Sequence, residues 1–292
     1  MNSRLFSLLG AVVLVAGITG GTALWLRSDR AEVPPADVTT NERPAGDAGD
    51  QPSTDLPVPP FPPRIAEGDQ YDKCMTMLAD DPEGAEAIAT SWQATGGGDG
   101  AIHCQALAMI AKGDSEGGAA MLENLAHTGT VEGLTRAVLL SQAAEARLMA
   151  DQGEPALKDS SEALEISPDD PDLLIGRANA YDALERANDA LEDLNRTLLL
   201  DASRGDALVL RASIWRQMDK LDAARSDIEK ALAQDPDDAE ALLERGILRE
   251  RMGDLAGARQ DWTRTREIDP NSEAAELAAQ NLTLLDAGPA KK

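Results

Sequence analysis

Residues 137–272 repeat with a period of 34. Written as blocks 137–170, 171–204, 205–238 and 239–272, they place leucine at the fourth position each time: Leu140, Leu174, Leu208 and Leu242. Small residues hold the eighth position, as Ala144, Ala178, Ala212 and Gly246, and the twentieth, as Ala156, Ala190, Ala224 and Ala258. Pro168, Pro236 and Pro270 share one grid point near the block ends, where the remaining block has Ala202. A period of this length marks a supersecondary unit that cannot bury its apolar face alone. Small residues at two fixed offsets let two antiparallel helices approach closely, and Pro ends the second. Each block is predicted to fold as helix, tight turn, helix, with neighbouring blocks stacked around one continuous core.

The stretch GDALVLRASIWRQMDKLDAARSDIEKALAQDPDD, at 205–238, resembles the tetratricopeptide repeat through Leu208, Ala212, Trp215, Ala224, Ile228, Ala231 and Pro236. Block 171–204 adds Tyr181, Ala190 and Leu194, but has Thr197 and Ala202 where Ala and Pro are usual. Block 239–272 has Arg249 at the usual aromatic position and Thr265 where Ala is preferred. Block 137–170 is the loosest, with Arg147 at the aromatic position and its glycine two residues late, at Gly153. The resemblance implies an all-α fold, a right-handed α-solenoid of antiparallel helix pairs. It also implies that 273–286 form a capping helix, followed by a tail at 287–292. Residues 68–136 read as a degenerate helical region, broken at Asp81-Pro82 and at 96–100. Within it, Gly113-Asp114 matches Gly253-Asp254, so 99–130 is expected to be a worn repeat. The Cys pair, Trp92-to-Gly98 and Asp261-Trp262 also resemble exported bacterial tetratricopeptide proteins.

The amino terminus is a separate object. From Leu5 to Leu26 there are 22 uncharged residues, flanked by Arg4, Arg27 and Arg30. As a helix this run would measure about 33 Å, enough to cross a bilayer. Trp25 beside Arg27 suits a membrane–water interface. A single-pass anchor within residues 1–30 is therefore expected, with a cleaved signal peptide ending near Gly21-Thr22-Ala23 as the alternative. Either reading exports the remainder, so the repeats are expected in the periplasm of a bacterium, tethered to the inner membrane. Nine of the sixteen prolines fall between Pro34 and Pro63, which makes 31–67 an extended linker. The run Leu56 to Pro63 is the alternative there, as a docking motif.

With 52 acidic against 27 basic residues, the formal charge is −25. That balance argues against nucleic acid, whose phosphates require clustered Lys and Arg. Two Cys and two His are too few for zinc fingers or iron–sulfur clusters. No HExxH, P-loop, GxSxG or CxxC motif is present, and no nucleophile is paired with a base, so the chain reads as non-catalytic and without a cofactor. Cys74 and Cys104 fall in neighbouring predicted helices, and in an exported chain an even pair is most simply a disulfide. A redox pair, a metal site using His103, or free thiols are the alternatives. Adjacent helical residues point about 100° apart, which keeps His103 and Cys104 off one ligand face. His127, near a predicted helix end, reads as exposed or capping.

Two further sets of residues follow the grid. The seventh position is Arg177, Arg211 and Arg245, and the twenty-third is Asp159, Asp193, Asp227 and Asp261. Arg–carboxylate forks between helices are the expected outcome. Four Asp against three Arg favours pairing across block boundaries, such as Asp159 with Arg177; pairing inside a block, Asp193 with Arg177, is the rival. A row of ligand-binding arginines is the functional alternative. The resemblance further implies a concave face formed by the first helix of each block. By position that face takes Ile175, Asn179, Val209, Ser213, Arg216, Leu243, Ile247 and Arg251, where a protein or peptide partner would lie. The competing reading packs the apolar ones between helices. Three function classes remain at this stage. They are a membrane-anchored scaffold, a chaperone or tether in cytochrome c maturation or envelope assembly, and a thiol or metal protein built on Cys74 and Cys104.

Overall fold

The structure, a computed structural model, describes residues 64–288. The expected anchor and most of the linker lie outside the described residues. Within them are thirteen α-helices and no strands. The first four are α1 (Asp69–Met77), α2 (Pro82–Ala94), α3 (Gly98–Ala111) and α4 (Ser115–Thr128). The periodic part contains α5 (Leu134–Met149), α6 (Gly153–Ile166), α7 (Pro171–Ala183), α8 (Ala187–Leu200), α9 (Gly205–Gln217) and α10 (Leu221–Gln234). It ends with α11 (Ala239–Arg251), α12 (Leu255–Ile268) and α13 (Glu273–Ala287). From α6 onward the grid is kept: the helices opening blocks begin at 171, 205, 239 and 273, and their partners at 153, 187, 221 and 255.

Each helix packs on the next, and the first helices of neighbouring hairpins also touch: α5 on α7, α7 on α9, α9 on α11, α11 on α13. The described part is therefore a helix-pair solenoid. The grid explains its core. The fourth-position leucines and the eighth- and twentieth-position small residues are all buried. At the twenty-fourth position the partner helix supplies a side chain whose bulk is matched by the eighth position. Ala178 belongs to a block with Leu194, Ala212 to one with Ile228, and Gly246 to one with Trp262. A Cβ on Gly246 would lie 2.3 Å from the Trp262 indole nitrogen, so only glycine leaves room for this ring. The fully buried indole N–H donates to the Leu243 carbonyl at 3.2 Å.

The turn inside each hairpin also repeats. Asp151, Glu185, Asp219 and Gly253 have φ of 57°, 58°, 59° and 88°, all left-handed. Around each, the amide two residues past the helix C-cap donates to the carbonyl three residues before that cap. These bonds are Gln152 to Arg147, Arg186 to Tyr181, Lys220 to Trp215 and Asp254 to Arg249, each 2.8 Å. This is the Schellman arrangement, which satisfies carbonyls left open at a helix end. Block 137–170 is thus not slipped at its turn. Asp151 takes the left-handed place, and Gly153 is the first residue of α6. The same turn closes α3, with Gly113 at φ 94° and Asp114 donating to Met109 at 2.9 Å.

The first four helices depart from the grid in other respects. Helix α3 is buried on most of its surface, through Gly100, Ala101, His103, Cys104, Ala106, Leu107, Ala108 and Ile110. It lies among α1, α2 and α4. Folding also starts before the expected linker ends, since Ile65 is buried and the Arg64 guanidinium bonds Asp72. No helix among the described residues is long and apolar enough to cross a membrane.

Candidate functional site

The Arg–Asp ladder forms inside blocks. Arg177 Nε and Nη2 donate to Asp193 at 2.8 and 2.7 Å. Arg211 makes the same fork to Asp227 at 2.8 and 2.9 Å, and Arg245 to Asp261 at 3.0 and 2.7 Å. The cross-boundary pairing of Asp159 with Arg177 is not what forms. Asp159 is instead bonded by Arg147 Nε at 2.6 Å. Arg147 occupies the eleventh, usually aromatic, position and replaces the arginine that Ala143 lacks at the seventh. Arg249, again at the eleventh position, adds a bond of 2.7 Å to Asp261. The mismatch of four Asp with three Arg therefore disappears once Arg147 is counted.

The boundaries between blocks are joined by other residues. Arg211 Nη1 reaches Asn195 of the preceding block at 2.7 Å, and Arg147 also bonds Glu123 on α4. All four aspartates are buried; Asp159 is the least well held, with Oδ1 unpartnered among the described residues. Burial pushes its carboxyl upward, against the pull of Arg147. Burial also explains Thr197 and Thr265 where alanine is usual. Each hydroxyl donates to the carbonyl four residues earlier, Asp193 and Asp261, at 3.1 Å.

The face expected to bind a partner is narrower than the positional reading implies. Val209 and Leu243 are 2% exposed, and Ser213 is 1% exposed. Val209 packs with Leu208, Ala212 and Ala241, and Leu243 with Ala258, Trp262 and Ala274. They are core because the next first helix closes over them, a contact that position within one repeat does not encode. Ile175, Asn179, Arg216 and Ile247 remain half-buried, and Arg251 is exposed. Arg216 Nε bonds Glu244, and its Nη2 donates to Ser213 Oγ at 3.0 Å. Arg251 Nη1 donates to the Arg216 carbonyl at 2.8 Å, and Gln217 Nε2 to Asp182 Oδ1 at 3.2 Å. These bonds tie α7, α9 and α11 to one another along one face.

Sequence reasoning missed the carboxylates of this row of helices. Glu244 is 1% exposed, and its Oε2 has no partner among the described residues. Burial raises it, with Arg216 and Arg251 opposing. Burial raises Asp182 and Glu240 too, and pushes Glu145 up to about 7, with Asp172 adding to the shift. The sixth position is Gln142, Gly176, Leu210 and Glu244, so no periodic signal marks Glu244 as an ion-pair residue.

Cys74 and Cys104 form a disulfide with Cα atoms 6.2 Å apart, and both are fully buried. His103 points to other partners. Tyr71 Oη lies 2.9 Å from its Nδ1 and Gln142 Oε1 lies 2.8 Å from its Nε2, so one imidazole links α1, α3 and α5. Burial lowers its pKa to about 4 and raises that of Tyr71 to about 12. His127 is exposed in the last turn of α4, with Nε2 3.5 Å from Glu162.

These hairpins, stacked on a 34-residue grid, define a class, and residues 228–260 match the family described as tetratricopeptide repeat. The chain is a tetratricopeptide-repeat protein. Its fold is shared with TTC0263, a thermophilic tetratricopeptide protein of Thermus thermophilus. That match has TM-score 0.54 and 17% identity, and covers 63% of this chain and 99% of that one. The crystal structure of the APC/C hetero-tetramer Cut9–Hcn1 matches with TM-score 0.56 and 13% identity, covering 73% of this chain and 42% of that one. No curated protein matches the chain.

Proposed function

We propose that this protein is a non-catalytic scaffold that holds a protein or peptide partner against the row formed by α7, α9 and α11. The observation that carries this reading is the convergence of three successive repeats on one face. There Ile175, Asn179 and Ile247 stay half-buried, and Arg251 stays exposed. A face of that kind, half apolar and half polar, suits an extended or helical segment. In this reading the chain is exported, anchored by residues 5–26 in the bacterial inner membrane, and carries its repeats in the periplasm. The Cys74–Cys104 disulfide supports an oxidising compartment. Service as a chaperone or tether in cytochrome c maturation or envelope assembly is a narrower form of the same role. The thiol or metal alternative loses support, because both sulfurs are bonded and buried and His103 is engaged by Tyr71 and Gln142.

The test is crosslinking in membranes followed by capture, comparing the natural chain with an Asn179→Arg, Ile247→Glu variant. The reading expects loss of the captured partner with an unchanged melt. Equal capture by a variant that folds normally would remove this face from the function. Val209 and Leu243 are unsuited to the test, since charge at either would disrupt the core.

A further inference from the structure

We propose that α1 is a redox-releasable cap on the amino-terminal end of the solenoid, held closed by the Cys74–Cys104 bond. Helix α1 has nine residues, of which only Tyr71 and Cys74 are buried, with Leu78 buried just beyond its end. A helix this short has little stability of its own. It packs on α2 and α3, and its ties to α3 are the disulfide and the Tyr71–His103 hydrogen bond. The opposite end of the stack is closed differently. There α13 has fifteen residues and sets Ala274 and Ala278 against Leu243 and Trp262, with no covalent bond. Apolar contact does at one end what a covalent bond does at the other.

Release is a thiol–disulfide exchange with a dithiol reductant. One thiolate of the reductant attacks a sulfur of the pair, displacing the other as a thiolate that takes up a proton. The second thiol of the reductant then resolves the mixed disulfide. Cys74 and Cys104 end as two thiols, and the reductant ends as its own disulfide, with two electrons and two protons transferred. Because both sulfurs are fully buried, attack waits on transient opening of α1. Once α1 has left, Ala101 and Cys104 on α3 lose their cover. A solenoid end requires a polar outer surface, so reduction converts a closed end into an open apolar one.

Hydrogen exchange read by mass spectrometry on the full chain tests the proposal, before and after dithiothreitol, with thiol counting to establish complete reduction. Exchange in residues 69–77 is expected to accelerate by about 100- to 1000-fold, with α5–α12 unchanged. Unchanged exchange in α1 of fully reduced protein would overturn the proposal. So would acceleration spread equally over α5–α12, which would make the disulfide a brace for the whole array. A Cys74→Ser, Cys104→Ser variant should reproduce the reduced pattern without reductant. Tyr71→Phe with the disulfide intact should keep most of the protection; loss of α1 in that variant would assign the hold to the hydrogen bond instead.

Discussion

The periodic hairpins α5–α12 are cross-braced by buried Arg–Asp contacts that recur every block, whereas α1–α4 have no such fork and are joined by one disulfide and one imidazole. The difference concerns redundancy. In the periodic part a missing residue can be replaced from a neighbouring position, as Arg147 does for the arginine that Ala143 lacks. In the amino-terminal part each contact occurs once, and nothing in the next block substitutes for it.

The contrast can be broken first at its strongest contact. Among the described residues Arg177 is the sole side-chain partner of buried Asp193, so Arg177→Ala is expected to cost about 3 kcal/mol in urea or thermal unfolding. Arg211→Ala should lower the melting temperature less, because Lys230 Nζ remains 3.1 Å from Asp227. Equal effects would mean that Lys230 carries nothing. A normal melt with weakened partner binding would turn the arginine row into a binding feature.

Acid should act on the other region. The folded state keeps His103 neutral down to about 4, against an ordinary value of 6.5. The stability this represents is intact above 6.5 and lost as the pH falls towards 4, by roughly 3 kcal/mol at full effect. Glu145 acts in the opposite sense. Its carboxyl is raised to about 7, so its charge costs stability above that pH, and the cost disappears on acidification towards 4.5. A whole-protein melt mixes the two slopes. Exchange measured separately in α3 and α5 should show the first losing and the second gaining protection between pH 7 and 5.

Gly246→Ala tests the packing match in the last hairpin and should cost about 1–3 kcal/mol, since Trp262 must shift from a close-packed site. The same substitution at Gly176, whose Cβ would meet nothing within 4 Å, should be tolerated. The smallest effect is expected at the turns. Asp219→Gly relieves a left-handed aspartate and should stabilise by at most about 1 kcal/mol, read from the urea midpoint.

Much of the fold was legible because the grid records packing directly: a small residue recurs where helices approach, and the structure buries it. The amino-terminal contacts were harder to read. Tyr71 and Gln142 lie 32 and 39 residues from His103, separations that match no period. Arg147 was legible only as a failed aromatic, since the charge it answers is on the opposite helix. The binding face was over-read for a related reason. Position within a repeat says which way Val209 and Leu243 leave their helix, but not that the next helix closes over them.

The in-block forks also bear on how the chain folds as it is made. Their partners are 16 residues apart, so each hairpin holds both members of its own fork and need not await the following block. At roughly 5–20 residues per second, a ribosome takes seconds to deliver one block, far longer than such local contacts need to form. The array can therefore be laid down in order from its amino-terminal end. Each finished hairpin then offers a docking surface to the next, and little apolar surface stands exposed at any moment of synthesis.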